Sequence, residues 1–390
     1  MKTLKRIAAC LLAGSLALSC VFPYEGDLDS IEGTLVIEGD IILGKSSTVR
    51  VSRVLSLDAS SAGSYVPVGS NVWVEGEDGS VYPGVRSMTD VPGYSVDLRD
   101  AAENTRYRLH VSITESGRNY VSSWREPQTA PVIDDISFEV EKTDNPRIFR
   151  PQGKARVSMH ARPGASRFFR WDYEQEWQYH AWYMQRFDYD FTEMDYVPYY
   201  DESIYWCWAK SPSLEAQIAI AIGDEQNQIR DHAFLEFNTA TGDLFQKRYA
   251  LHVVARGVSE ECYQYLYTLQ MNSNSTGDLF APNPSELRGN IVCEEDPDEL
   301  VLGFIEVSRT EEAWAFVNDP DAYYDPGDRT NPPLVDLPPA EIESYYLEGW
   351  RPVKEVAPDE GPTYYGWAPA AWCDCRSLGG TNVKPSYWED

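Results

Sequence analysis

A leader cysteine, three neighbouring carboxylates and two cysteines one residue apart are where this chain of 390 residues could do covalent or acid–base chemistry. Cys20 follows Leu16-Ala17-Leu18-Ser19 at the end of an apolar run, Ile7 to Leu18, itself preceded by the cations Lys2, Lys5 and Arg6. Basic, then apolar, then small residues before a Cys is the layout of a lipobox: cleavage before Cys20, with lipid on its thiol and amine. A plain secretory signal is the alternative. Asp172, Glu174 and Glu176 could serve a glycosidase, yet a chain with 62 Asp and Glu produces such neighbours by chance. The nucleophile elbow, the zinc-protease His-Glu motif, the phosphate loop and the dinucleotide fingerprint are all absent. Of the five His, at 110, 160, 180, 232 and 252, His110 and His252 fall within alternating strand-like runs, the ordinary place of a wet or satisfied strand His. The expectation is therefore a protein that is not an enzyme, with a hydrolase as the alternative.

Beyond the leader, Cys207, Cys262, Cys293, Cys373 and Cys375 would meet an oxidising compartment. Cys262 reads as a buried free thiol on a helix. Cys373 and Cys375 bond more readily to other partners than to each other, so they are expected to pin the tail onto Cys207 and Cys293. A zinc site on Cys373-Asp374-Cys375 competes with that reading, but no second Cys or His pair stands at finger-like spacing. Calcium has one candidate cluster, Asp319, Asp321, Asp325 and Asp328, because a hard cation wants about six to eight oxygens. Tyr324 occupies the Gly position of an EF-hand loop and Thr330 its Glu position, so a solvated Asp-Pro loop is the other reading and no cofactor besides calcium is expected.

Between Arg167 and Trp208 stand seventeen aromatics in 42 residues. Aromatic faces can stack on sugars or anchor a protein partner, and they also fill cores; most of these are read as core. Phe187 to Tyr205 is set apart, because Asp188, Asp190, Asp195 and Asp201 interleave with Tyr196, Tyr199 and Tyr200, too polar for a buried strand. Those seven residues are the candidate surface for a partner or a peptide or glycan cargo.

The elements that must hold these residues are mainly strands. From Thr34 to about Trp124 the pattern has period two with a turn signal every ten or so residues, which reads as an Ig-like or carboxypeptidase-regulatory-like β-sandwich over 33–126. Tyr107 to Ile113 alternates apolar and polar and turns at Glu115-Ser116-Gly117-Arg118 into Asn119 to Ser122; Asp78-Gly79 marks a second hairpin. Glu126-Pro127 to Pro131 breaks the alternation. A larger β-rich domain, 127–390, follows, with strands at Ile136 to Val140, Ala155 to Ala161, Phe168 to Tyr173, Tyr249 to Ala255 and Leu300 to Val307. Ser259-Glu260-Glu261 caps a helix near 260–271, and the Cys-x-Cys tail closes the chain. Residues 1–19 are then the signal peptide and 20–32 the lipidated tether.

With 33 basic and 62 acidic residues the formal charge is −29, and losing the leader's three cations makes the body more acidic still. Nucleic-acid binding runs on clustered cations and is excluded on this count. No apolar stretch, the leader's twelve residues from Ile7 to Leu18 included, reaches the roughly 18 residues a membrane-crossing helix needs, so contact with the membrane would come through the anchor.

Several stretches together resemble the Bacteroidota outer-membrane lipoprotein family of the domain of unknown function 4249. They are Leu35-Val36-Ile37-Glu38-Gly39, Gly117-Arg118-Asn119-Tyr120, Arg248-Tyr249-Ala250-Leu251, Ser259-Glu260-Glu261-Cys262-Tyr263, Thr276-Gly277-Asp278-Leu279-Phe280, Asn283 to Ile291, Val301-Leu302-Gly303-Phe304 and the tail from Cys373 through Gly379-Gly380-Thr381-Asn382 to Trp388. Glu25, Asp27 and Asp29 after Cys20 are also similar to the surface-export signal of such lipoproteins. The resemblance implies an anchored protein of the outer membrane, exposed at the cell surface, that assists a TonB-dependent receptor in nutrient uptake. It brings no catalytic residues. A surface glycan-binding protein or glycoside hydrolase is the first alternative function, and an adhesin-like structural sandwich the second.

Overall fold

A computed structural model describes residues 33–54, 66–67, 69–87, 93–141, 152–221, 227–238, 244–274, 288–318, 331–357 and 362–388. The chain is mainly β. In the amino-terminal part the expected alternation is met: Tyr107, Leu109, Val111 and Ile113 are buried while the residues between them reach the surface. Tyr107–Ile113 pairs with Asn119–Ser122 and with Ser70–Gly76, and Ser70–Gly76 with Val81–Ser87, so both expected hairpins are present.

The resulting sheet runs Ile291–Cys293, Asn119–Ser122, Tyr107–Ile113, Ser70–Gly76, Val81–Ser87, Gly93–Asp97, Ser46–Arg53, Leu35–Glu38, Val301–Leu302. Its two outermost strands lie against each other. The sheet thus curls round one core that includes Leu35, Ile37, Val74, Tyr107, Leu109 and Tyr120 together with Ile291, Cys293, Val301 and Ile305. Residues 291–308 therefore return from far along the sequence to complete the first sandwich, and the division after 126 marks only where the chain first leaves it. The continuous strand expected from Leu300 to Val307 is broken into Val301–Leu302 and Val307–Ser308, each pairing in parallel with a separate amino-terminal strand. Gly303, between them, has φ +131, and a Cβ there would sit 2.0 Å from the carbonyl oxygen of Ile37, so the crossing admits only glycine.

A second sandwich faces Val132–Glu141, Gln152–His160 and Gln228–Asn238 against a larger sheet centred on Phe168–His180. That strand pairs antiparallel with Arg248–Val258 from Phe168↔Val258 to Gln178↔Arg248, and with Trp206–Pro212 and Gln217–Ile220 on its other side; Glu311–Phe316 lies outermost beyond Arg248–Val258. Phe169 and Trp171 point into the core with Val157, Met159, Val253 and Ala255. Period two then sends Arg170, Asp172, Glu174 and Glu176 to the opposite face. Helix α1, Glu260–Asn274, starts where expected and runs three residues further than 271; Ser259 Oγ accepts from the Cys262 amide at 3.2 Å, with Glu260 and Glu261 in the positive first turn.

The tail builds a third, small unit. Val335–Asp336, Tyr364–Pro369 and Trp350–Val356 form a three-stranded sheet with helix α2, Ile342–Leu347, beside it, and two short 3-10 turns, Ala370–Cys373 and Cys375–Leu378, follow.

Candidate functional site

The segment singled out for its mixture of Asp and Tyr folds as a hairpin, Phe187–Asp190 against Asp195–Pro198, with Tyr189 opposite Tyr196. Its carboxylates shape backbone. Asp190 Oδ1 accepts from the amides of Thr192 at 2.7 Å and Glu193 at 3.3 Å, Asp188 Oδ1 from Tyr189 at 2.9 Å, Asp195 Oδ1 from Tyr196 at 2.8 Å and Asp201 Oδ1 from Ser203 at 2.8 Å. The Thr192 and Glu193 amides hold the Asp190 carboxyl below the usual aspartate range, and the Ser203 hydroxyl and amide do the same for Asp201. Tyr196 does not face solvent as a contact residue. It stacks on Tyr365 at 3.8 Å, accepts from Trp367 Nε1 at 3.2 Å and, with Tyr189, packs the hairpin onto the tail sheet.

Of the candidate tyrosines, Tyr199 and Tyr200 are exposed. They are joined by three residues that sequence reasoning missed, Phe191, Met194 and Val197, all exposed at or near the hairpin's turn. The only signal for these was their place inside an otherwise polar run. Met194 is 64% exposed and has φ +56, a left-handed conformation that glycine or asparagine takes at lower cost.

At the base of the hairpin lies a cleft of about 470 Å³. Trp182, Phe187 and Tyr205 form its aromatic walls, and Arg186, Lys354 and Glu355 its charged rim. The Tyr205 ring rests on that of His180, 5.1 Å between centroids and 16° from parallel. Asn331 Nδ2 donates to the Trp182 carbonyl at 2.6 Å, and the Arg186 amide to Val353 O at 3.0 Å, which ties the cleft's two sides together.

The three carboxylates weighed for hydrolysis share one face of the large sheet but have different fates. Asp172 is held by Arg256 and lies 3.7 Å from Arg170, and both arginines also donate at 3.0 Å to Asp40 of the first sandwich. Burial alone would lower Arg170; Asp40 and Asp172 outweigh it and hold the guanidinium above its ordinary value. Glu174 pairs with Lys210 at 3.1 Å. Glu176 is buried, and Tyr387 Oη donates to its Oε2 at 2.7 Å. Burial pushes the Glu176 carboxyl up, Tyr387 pulls it down, and the neighbouring Glu174 adds to the rise. Tyr387 stacks in turn on Trp314 at 4.2 Å, and Trp314 on His252 at 4.1 Å, so Tyr387 lies across this face.

Cys207 and Cys375 form the disulfide, 168 residues apart in sequence. The expected second bridge is not formed. Cys293 belongs to the core of the first sandwich and Cys373 to that of the tail unit, so the two thiols are walled into separate cores. Burial pushes the Cys373 thiol up to about 12 and raises those of Cys262 and Cys293 as well, which leaves all three protonated and poorly nucleophilic. No cluster of three or more His, Cys, Asp or Glu fit to hold a metal occurs among the described residues. Cys20 and the calcium candidates Asp319, Asp321, Asp325 and Asp328 lie outside those residues.

A search of curated proteins found no match to the chain. One family does match, a domain of unknown function (DUF4249), over residues 21–313.

Proposed function

The chain belongs to the DUF4249 family, and from that membership we propose that it is a lipoprotein of a Bacteroidota outer membrane, anchored through Cys20 and displayed at the cell surface. There it serves as a non-enzymatic partner of a TonB-dependent receptor in nutrient uptake. The observation that carries this reading is the exposed apolar tip of the hairpin, Phe191, Met194 and Val197 with Tyr199 and Tyr200 beside it. A methionine kept in a left-handed backbone position and turned to water costs stability, and such local cost is tolerated where a side chain is needed for contact. Tyr189 and Tyr196 fix the hairpin onto the tail sheet, so the tip meets a partner already ordered. Anchoring confines the search to the membrane plane and raises effective concentration, so modest intrinsic affinity is enough.

Hydrolysis has less support. Asp172 is engaged by arginines, and Glu176 lies under Tyr387. The test is affinity purification of the lipidated protein from detergent-solubilised native membranes, with palmitate labelling in parallel. A large barrel receptor should copurify with the wild type, and Cys20→Ser should abolish both labelling and membrane retention. Recovery of a labelled protein without any barrel partner would overturn the receptor reading.

A further inference from the structure

We propose that the cleft at the hairpin's base is a binding site for a carboxylated saccharide, such as a uronate-bearing oligosaccharide. Three features of the cleft select this class. Its walls are the flat rings of Trp182, Phe187 and Tyr205, whose electron-rich faces attract the C–H face of a pyranose. Its rim carries the cation Arg186, in a chain whose formal charge is −29. Arg186 is exposed and makes no ion pair among the described residues, which leaves its planar fork available to a carboxylate.

The third feature is Glu355, on the same rim. A sugar ring offers hydroxyl hydrogens that this carboxylate accepts, whereas a bare carboxylate ligand offers none. A ligand with both a carboxylate and hydroxyls offers a partner to Arg186 and to Glu355 at once. An extended peptide fits less well: the strand Trp350–Val356 pairs with Tyr364–Pro369 on one edge, and on the other Val353 O is already taken by the Arg186 amide. The volume, about 470 Å³, is in the range of small-ligand sites and accommodates one to a few sugar rings.

The assignment deepens the proposed uptake role by naming a cargo class, and it rests on that role only for the word cargo; binding itself needs no receptor. The experiment is calorimetric titration of the purified mature protein, disulfide intact, with a galacturonic-acid tetramer, with its methyl-esterified form, and with a glutamate-rich peptide of equal charge. The acid tetramer should bind saturably, the ester at least about tenfold more weakly, and Arg186→Gln should bring the acid down to the level of the ester, an effect of the size expected for one charge-assisted bidentate contact. Arg186 is exposed, so its replacement leaves the fold intact; unchanged thermal melting confirms this. Equal binding of acid and ester, no saturable binding of either at millimolar concentration, or peptide binding as tight as the tetramer would each overturn the assignment. Loss of receptor copurification with tetramer binding retained would remove the docking reading alone.

Discussion

Glu176 and Met194 are each placed at some cost, and each gives a measurable consequence. Because burial raises the folded-state pKa of Glu176 above its ordinary value, the proton it holds stabilises the fold fully below the unfolded-state value, and that contribution is lost as pH rises through the folded-state value. Glu176→Gln, a mimic of the protonated form that still accepts from Tyr387, should therefore unfold at higher urea concentration than the wild type at pH 7.5, with the gap closing as pH falls below about 4. Identical midpoints at both pH values would mean that the carboxyl is ionised at little cost. Met194→Gly should raise stability by up to about 1 kcal/mol in denaturant melts, since glycine takes φ +56 without the Cβ clash. It should also lower recovery of a barrel receptor on purification. A variant that is more stable and still recovers the receptor fully would remove Met194 from the contact surface.

At the scale of elements, local pattern predicted what local pattern can decide. Alternation in Tyr107–Ile113, the turn at Asp78-Gly79 and the Ser259 cap with its two acids each translate into a strand, a hairpin and a helix start because the deciding contacts lie within a few residues. Pairing of Leu35–Glu38 with Val301–Leu302 carries no such signature, and neither does the choice of Cys375 over Cys373 as the partner of Cys207. Both depend on which surfaces meet after long loops close. The candidate site was legible in the same degree. Its polar Asp and Tyr positions marked a surface segment, but the exposed Phe191 and Val197 look in sequence like the buried Tyr189, and only the tail sheet beneath the hairpin separates them. The tail itself is held by the disulfide, by the Tyr179 hydroxyl donating to Cys375 O at 2.9 Å, and by the bridge between Trp208 and Thr381. Cys375→Ser should cost about 2 to 5 kcal/mol of stability. Limited proteolysis of that variant should cut first after residue 376, at sites the wild type protects; the same cleavage pattern in both would show that packing alone secures the tail.

Across the whole molecule, the two sandwiches are joined by buried charge. Asp40 meets Arg170 and Arg256, which also face Asp172, and Glu306 accepts from the Ser259 amide at 2.9 Å and lies 3.3 Å from Arg125 Nε. Removing Asp40 leaves two largely buried guanidiniums to share the more exposed Asp172, so Asp40→Ala should lose about 3 to 5 kcal/mol, and Asp40→Ala combined with Arg256→Met should lose less than the sum of the single changes. Strict additivity in calorimetric melting would show that the pair is not coupled. The return of residues 291–308 to the first sandwich has a further effect, on the order of assembly. A ribosome releases Leu35–Glu38 early and Val301–Leu302 late, so for most of synthesis the leading half is a sheet with a raw margin, complete in its turns and incomplete in its closure. Whatever escorts the nascent chain must shield that margin until the belated strands arrive, and maturation of the front of the protein is timed by its back.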